Sequence, residues 1–197
     1  MPTDLQWEAL DWPGLEHVVV SSDAAGFRAD GQLVLGPPVG PASVSYQLSC
    51  DANWRVTELT ITAVNSAATR TLALIAGGDA RWLVDGQPRP DLDGCIDVDI
   101  SLTPLTNTLP IRRLTWTPEC AQELDVVYVS APDLTVRRAS QRYTLLKQEA
   151  DNNAALYRYE SGSFRADLTV DGCGFVTDYP ELWRRVWPSE SGREQAR

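Results

Sequence analysis

Apolar and polar residues alternate along most of this chain with a period of two. Val44, Tyr46, Leu48 and Cys50 are interleaved with Ser43, Ser45, Gln47 and Ser49. Ile96, Val98, Ile100 and Leu102 alternate with Asp97, Asp99 and Ser101, and Phe164, Ala166, Leu168 and Val170 with Arg165, Asp167 and Thr169. Successive side chains of a strand point to opposite faces, so the pattern predicts half-buried strands. Segments 15–22, 53–64, 70–76, 80–85, 111–117, 123–130, 134–138, 141–148 and 154–160 read as further strands, because β-branched and aromatic residues concentrate in them. Turn signals punctuate them at Asp30-Gly31, Gly77-Gly78-Asp79, Asp85-Gly86, Asp93-Gly94, Asn152-Asn153 and Asp171-Gly172.

One stretch has helical spacing instead. Pro180 stands where a first helical turn would begin, and Leu182/Val186 and Trp183/Trp187 repeat at i,i+4. The expected fold is therefore all-β and mainly antiparallel: a single curved domain over residues 1–187, barrel-like or half-barrel, with one short C-terminal helix near 180–187. Residues 188–197 form a polar C-terminal tail. Echoes between the halves, such as Val18-Val19-Val20 with Val126 to Val129 and Asp-Gly-Cys at 93–95 and 171–173, fit two pseudo-repeated lobes. Chance similarity between β segments explains them nearly as well.

Composition narrows the partners. A chain of 197 residues, 43% apolar, can bury a core without disulfide staples. Its formal net charge of −10 argues against nucleic acid, whose affinity comes from Lys and Arg neutralising phosphates, and against anionic membranes. No run of residues is long and apolar enough to cross a bilayer. The first residues lack a basic start and an apolar core, so a cytosolic address is expected, with no integral membrane association. Cys50, Cys95, Cys120 and Cys173 are widely spaced and read as reduced, buried thiols. The pattern says nothing about oligomeric state.

Candidate chemistry is sparse. The one histidine, His17, has no triad motif around it. Zinc spacings are absent, and the acidic run Asp91, Asp93, Asp97, Asp99 lacks the helix-flanked calcium pattern, so no metal and no cofactor are expected. Asp97 and Asp99 lie two apart on a strand, about 6–7 Å along one face, a spacing that glycosidases use for their carboxyl pair. The other reading of that pair is the solvated face of a half-buried strand. After it, strand pattern stops at Thr103-Pro104, and a connection rich in Thr and Asn runs to Pro110. Such a segment is either a fixed structural turn or a binding loop. Seven tryptophans suit a β core, or the faces of acyl chains and sugars.

This segment, Asp97-Val98-Asp99 followed by Thr103-Pro104 and Thr106-Asn107-Thr108-Leu109-Pro110-Ile111-Arg112-Arg113-Leu114, resembles a bacterial family described as putative glycolipid-binding, formerly a domain of unknown function. Supporting residues are Trp7 with Gly14 and Glu16, Tyr46 with Asp51 and Trp54, Trp82, Gln141 with Tyr143, and Tyr179-Pro180, so the resemblance spans nearly the whole chain. It implies a strand-rich single domain, duplicated and curved around an interior, and a glycolipid or similar amphiphile as ligand. It brings no catalytic residues.

The leading expectation is non-enzymatic binding of an amphiphilic small molecule. Apolar strand faces and tryptophans would hold its tail, and residues 97–113 would meet its head. The expected ligand-binding set is Glu16, Trp54, Trp82, Asp97, Asp99, Asn107, Arg112, Trp116 and Tyr143. The alternatives are an enzyme acting on a carbohydrate or ester through Asp97/Asp99 or the Glu16–His17 region, and an interaction protein with no small ligand. Within the strand expected at 111–117, alternation puts Arg112 on the apolar face with Leu114 and Trp116 and leaves Arg113 outside. A buried Arg112 would need an acceptor: Asp99, Glu16 or an anionic headgroup.

Overall fold

The alternation becomes a single curled sheet. The structure is a computed structural model describing residues 1–38, 40–149 and 154–188. The first half of the chain supplies β1 (Thr3–Ala9), β2 (Gly14–Asp23), β3 (Gly26–Leu35), β4 (Ala42–Cys50), β5 (Val56–Asn65), β6 (Thr69–Ala76), β7 (Trp82–Val84) and β8 (Gln87–Pro88). The second supplies β9 (Asp97–Ile100), β10 (Ala121–Ser130), β11 (Thr135–Gln148), β12 (Ala155–Ser161), β13 (Phe164–Val170), β14 (Val176–Tyr179) and β15 (Trp183–Trp187). Their order is β8-β7-β6-β5-β4-β3-β2-β1-β15-β14-β13-β12-β11-β10-β9, so two meanders meet where β1 pairs with β15. All neighbours are antiparallel except β9 and β10. The sheet does not close, and its free ends are β8 and β9. The asparagine pair at 152–153 and residues 189–197 of the expected tail lie outside the described residues.

Burial follows the period closely. On β3 every second residue from Phe27 to Leu35 is buried, with exposed residues between them. Gly31 falls on the inward face of that series, so the turn expected at Asp30-Gly31 is instead the middle of a strand. The missing side chain has a use there: a Cβ on Gly31 would lie 2.1 Å from Tyr46 Cζ on the paired strand. Turn chemistry was outvoted by packing of the Tyr46 ring across the glycine.

Two further expectations are corrected. Residues 180–187 are not helical. Pro180 and Glu181 form the turn of the β14–β15 hairpin, Glu181 at φ +66° with the Leu182 N–H donating to Tyr179 O at 3.0 Å. Trp183 and Trp187 satisfy a period of two as well as an i,i+4 spacing, and pairing of Trp183 with Ala9 and Tyr179 decides for the strand. The one α-helix among the described residues is α1 (Thr108–Arg113), where a strand over 111–117 was expected. Pro110 is compatible with it, because the N–H that proline lacks is one of the first-turn donors that no helix satisfies internally.

What surrounds α1 matters more than the helix itself. Every residue from Thr103 to Ile111 is buried. Leu105, Leu109 and Ile111 join a core that draws on both meanders, from Leu5 to Trp183. The Thr-rich connection is neither a surface turn nor a surface loop: it is a plug, and the sheet curls around it. The burial of all four thiols is corrected too, since Cys50 and Cys95 are buried but Cys120 and Cys173 are exposed.

Candidate functional site

Nine successive buried residues that include three threonines and an asparagine must find partners for their polar groups. The strands supply them. Thr103 Oγ1 donates to Glu16 Oε2 at 2.8 Å and accepts the Leu105 N–H at 3.0 Å, which fixes the start of the plug. The other Glu16 oxygen accepts the Tyr46 hydroxyl at 2.7 Å. Glu16 is fully buried, and among the described residues no cation lies beside it; burial pushes its carboxyl up to about 8, against the two hydroxyl donors. Further along, Asn107 donates to Pro104 O at 3.1 Å and accepts the Tyr143 hydroxyl at 2.8 Å.

The two aspartates of β9 have separate fates. Asp97 is 1% exposed, and Arg113 at the end of α1 reaches it with both Nε (3.1 Å) and Nη2 (2.5 Å). Burial raises this carboxyl above its ordinary value, and the Arg113 guanidinium pulls it back. Asp99 is half-buried and has no such guanidinium: Thr106 Oγ1 donates to it at 3.1 Å and Gln141 Nε2 at 2.6 Å. Gln141 is held in turn beside the Tyr159 hydroxyl, 3.0 Å away. Burial raises the Asp99 carboxyl as well, opposed by Thr106, Gln141 and, more weakly, Arg137. The solvated-face reading of the Asp97/Asp99 pair is thereby corrected, because one is locked in an internal ion pair and the other looks into a cleft.

That cleft, of about 310 Å³, is the candidate site. Asp99 and Asn107 form its polar floor. Tyr128, Tyr159, Tyr179, Phe164 and Trp183 supply its aromatic walls, and Arg137 lies over the Tyr128 ring at 4.4 Å. Tyr159 is the hub of the walls, with ring centroids of Tyr143, Phe164 and Tyr179 at 5.1, 6.1 and 6.4 Å. A groove of equal size on the outer face, lined by residues such as His17, Gln32 and Thr60, has no buried charge at its base.

The expected site residues therefore scatter. Asp99 and Asn107 reach the cleft. Glu16, Asp97 and Tyr143 stand behind it and hold the plug. Trp82 is buried in the core, its indole N–H bonded to Cys95 O at 2.9 Å, and Trp116 is half-buried, donating to Ile111 O at 2.9 Å. Trp54 and Arg112 meet at another surface, 5.0 Å from guanidinium carbon to ring centroid. The expected division of labour between the paired arginines is reversed: Arg113 is the internal one, and Arg112 is exposed, because a helix turns successive residues by about 100° rather than 180°. Glu16 and His17 point to opposite faces, His17 outward to Asp4 at 2.8 Å, so they form no catalytic pair. The acidic run is dispersed too, with Asp91 paired to Arg89 and Asp97 to Arg113.

Sequence reasoning missed Tyr128, Arg137, Tyr159, Phe164 and Trp183. A signal was present for Tyr46, Gln141 and Tyr179, which belong to the resembling pattern and lie in this network. None existed for the others, which come from five different strands.

The profile of a family described as putative glycolipid-binding matches residues 4–185. The chain belongs to that family. A DUF1089 family protein from Pseudomonas aeruginosa, known from its crystal structure, is 33% identical; the match covers 88% of this chain and 92% of that one, with a TM-score of 0.75. A β-barrel-like protein of the domain of unknown function DUF1849 from Brucella abortus superposes with a TM-score of 0.57 at 10% identity, over 93% of this chain and 94% of that one, a likeness of fold alone. No curated protein matches. Family membership supports a lipid-like small-molecule partner. Among the described residues, no helix is long and apolar enough to cross a membrane.

Proposed function

We propose that this glycolipid-binding family member holds the sugar portion of an amphiphile in the Asp99 cleft and does no chemistry on it. The observation that carries this reading is the lining itself: one carboxylate, anchored by Thr106 and Gln141, among the faces of Tyr159, Tyr179 and Trp183. Sugar hydroxyls donate to such a carboxylate, and the C–H faces of a pyranose ring lie against aromatic rings. A volume of about 310 Å³ is at the small end for ligand sites and suits a head of one or two rings. Leu182 and the exposed Phe164 provide an apolar rim along which an acyl chain can leave.

Hydrolysis is the weaker reading. Glycosidases present two carboxyl groups to one substrate. Here Asp99 is the only carboxylate among the described cleft residues, while Asp97 is excluded from solvent and occupied by Arg113. Trp7 and Trp82 cannot hold a tail, since both are buried with their N–H groups bonded to backbone carbonyls.

The test is titration with an alkyl glycoside below its micelle-forming concentration. We expect one saturable site in the parent protein, weakened at least tenfold by Asp99→Ala and by Tyr159→Ala, and unchanged by Trp54→Phe. Equal affinity in all four proteins would remove the cleft from the account.

A further inference from the structure

A second pocket, of about 210 Å³, lies at the other end of β14. Phe175, immediately before β14, lines it, whereas Tyr179, the last residue of β14, lines the cleft. The plug makes the same traverse, with Asn107 at the cleft and Arg112 at this pocket. We propose that the pocket is a binding site for an apolar chain ending in an oxyanion, with Arg112 as the group that anchors the charge.

Two loops of the same construction build its walls. Asp51 Oδ1 accepts the N–H groups of Asn53 (2.8 Å) and Arg55 (2.9 Å), which pins the loop presenting Trp54. Asp171 Oδ1 accepts those of Cys173 (2.9 Å) and Phe175 (3.0 Å), which pins the loop presenting Phe175. Each loop also turns through a left-handed residue, Trp54 at φ +62° and Gly174 at φ +84°. A large side chain in that region is held by its surroundings, not by its own preference. Phe27 fills the space between the loops, stacked on Trp54 at 4.6 Å and near Phe175 at 6.4 Å. Three aromatic rings thus form a rigid apolar seat.

Arg112 is held over that seat at both ends of its side chain. Its stem lies against Gly174, where an added Cβ would come within 2.9 Å of Arg112 Cδ and 3.2 Å of Cγ. Its guanidinium sits over the Trp54 ring. Among the described residues no carboxylate lies within ion-pair distance of it, in contrast to Arg113 next door. A fixed, unpaired guanidinium beside an apolar seat recognises a carboxylate or phosphate attached to a chain.

Cys173 also lines the pocket and is exposed, and Cys120, exposed elsewhere, serves as an internal control. The experiment is the alkylation rate of each thiol, read by peptide mass spectrometry, with decanoate, decyl phosphate or decanol added below self-association. At least one of the two anions should slow Cys173 saturably, about fivefold or more, and leave Cys120 unaffected; which one does so assigns the head as carboxylate, phosphate or either. Arg112→Gln should lose that protection, and Asp99→Ala should keep it, which separates this site from the sugar cleft. Protection by neither anion, equal protection by decanol, or undiminished protection in Arg112→Gln would overturn the proposal.

Discussion

Two buried carboxyls tie the plug to the sheet, and they do so by opposite means. Asp97 faces a guanidinium that binds both of its oxygens, while Glu16 faces only two hydroxyls. A paired carboxylate stays charged inside a protein because its partner replaces the lost water. An unpaired one yields its charge, and burial accordingly lifts Glu16 to about 8, so at neutral pH it is mostly protonated. One end of the plug is therefore held by an ion pair and the other by a neutral hydrogen-bonded node. A buried acid's role is set by what faces it, which separates two residues that a sequence presents alike.

The contrast is broken most severely from the cation side. Arg113→Ala strands Asp97 in the interior and is expected to cost about 3–5 kcal/mol in urea unfolding. Arg112→Ala, at an exposed position with no ion pair among the described residues, should lose no more than its contact with the Trp54 ring, about 1 kcal/mol. Comparable losses in the two variants would mean that α1 is not oriented as described.

Glu16 also gives the fold a pH dependence. Its folded value, about 8, lies above the ordinary 4.5, so between these values the folded state binds the proton more tightly than the unfolded state. Its contribution to stability is full below pH 4.5, falls as pH rises to about 8, and is lost above that. The slope attributable to this group approaches about 1.4 kcal/mol per pH unit at its steepest. Subtracting the stability profile of Glu16→Gln from that of the parent should isolate this fall. A flat difference between pH 5 and 8 would show that Glu16 is charged or solvated.

Much of the fold was legible because period two is enforced residue by residue: β2, β4, β6, β10 and β13 lie close to their expected bounds. Legibility failed where two periods coincide, as at Trp183 and Trp187, or where a long-range contact outvoted a local signal, as Tyr46 did at Gly31. The motif from Asp97 to Leu114 was correctly singled out, but its geometry was not. A run of threonine, asparagine and proline reads equally as a fixed turn or a binding loop when no partner is visible. Its partners are Glu16, Tyr46 and Tyr143, brought from three distant strands. The cleft walls were less legible still, since aromatic residues on β10, β12, β13 and β15 carry no mark that distinguishes a wall from a core.

The smallest expected effect concerns the plug's one unanswered group. Thr108 Oγ1 is buried and, alone among the described buried side-chain atoms, has no hydrogen-bond partner. Replacing it by the isosteric valine removes an unsatisfied hydroxyl, so Thr108→Val should be neutral or stabilising by up to about 1 kcal/mol in the same unfolding assay. A loss well beyond that range would reveal a bond made by Thr108 and move this position into the group that includes Thr103.

The central claim is that the Asp99 cleft holds the sugar portion of an amphiphile. Native mass spectrometry of the protein incubated with an alkyl glycoside, compared with its Asp99→Ala variant, tests it most directly. A one-to-one adduct of the glycoside's mass is expected on the parent, at least tenfold less abundant on the variant at equal concentration. No adduct on the parent, or the same adduct on both proteins, would contradict it.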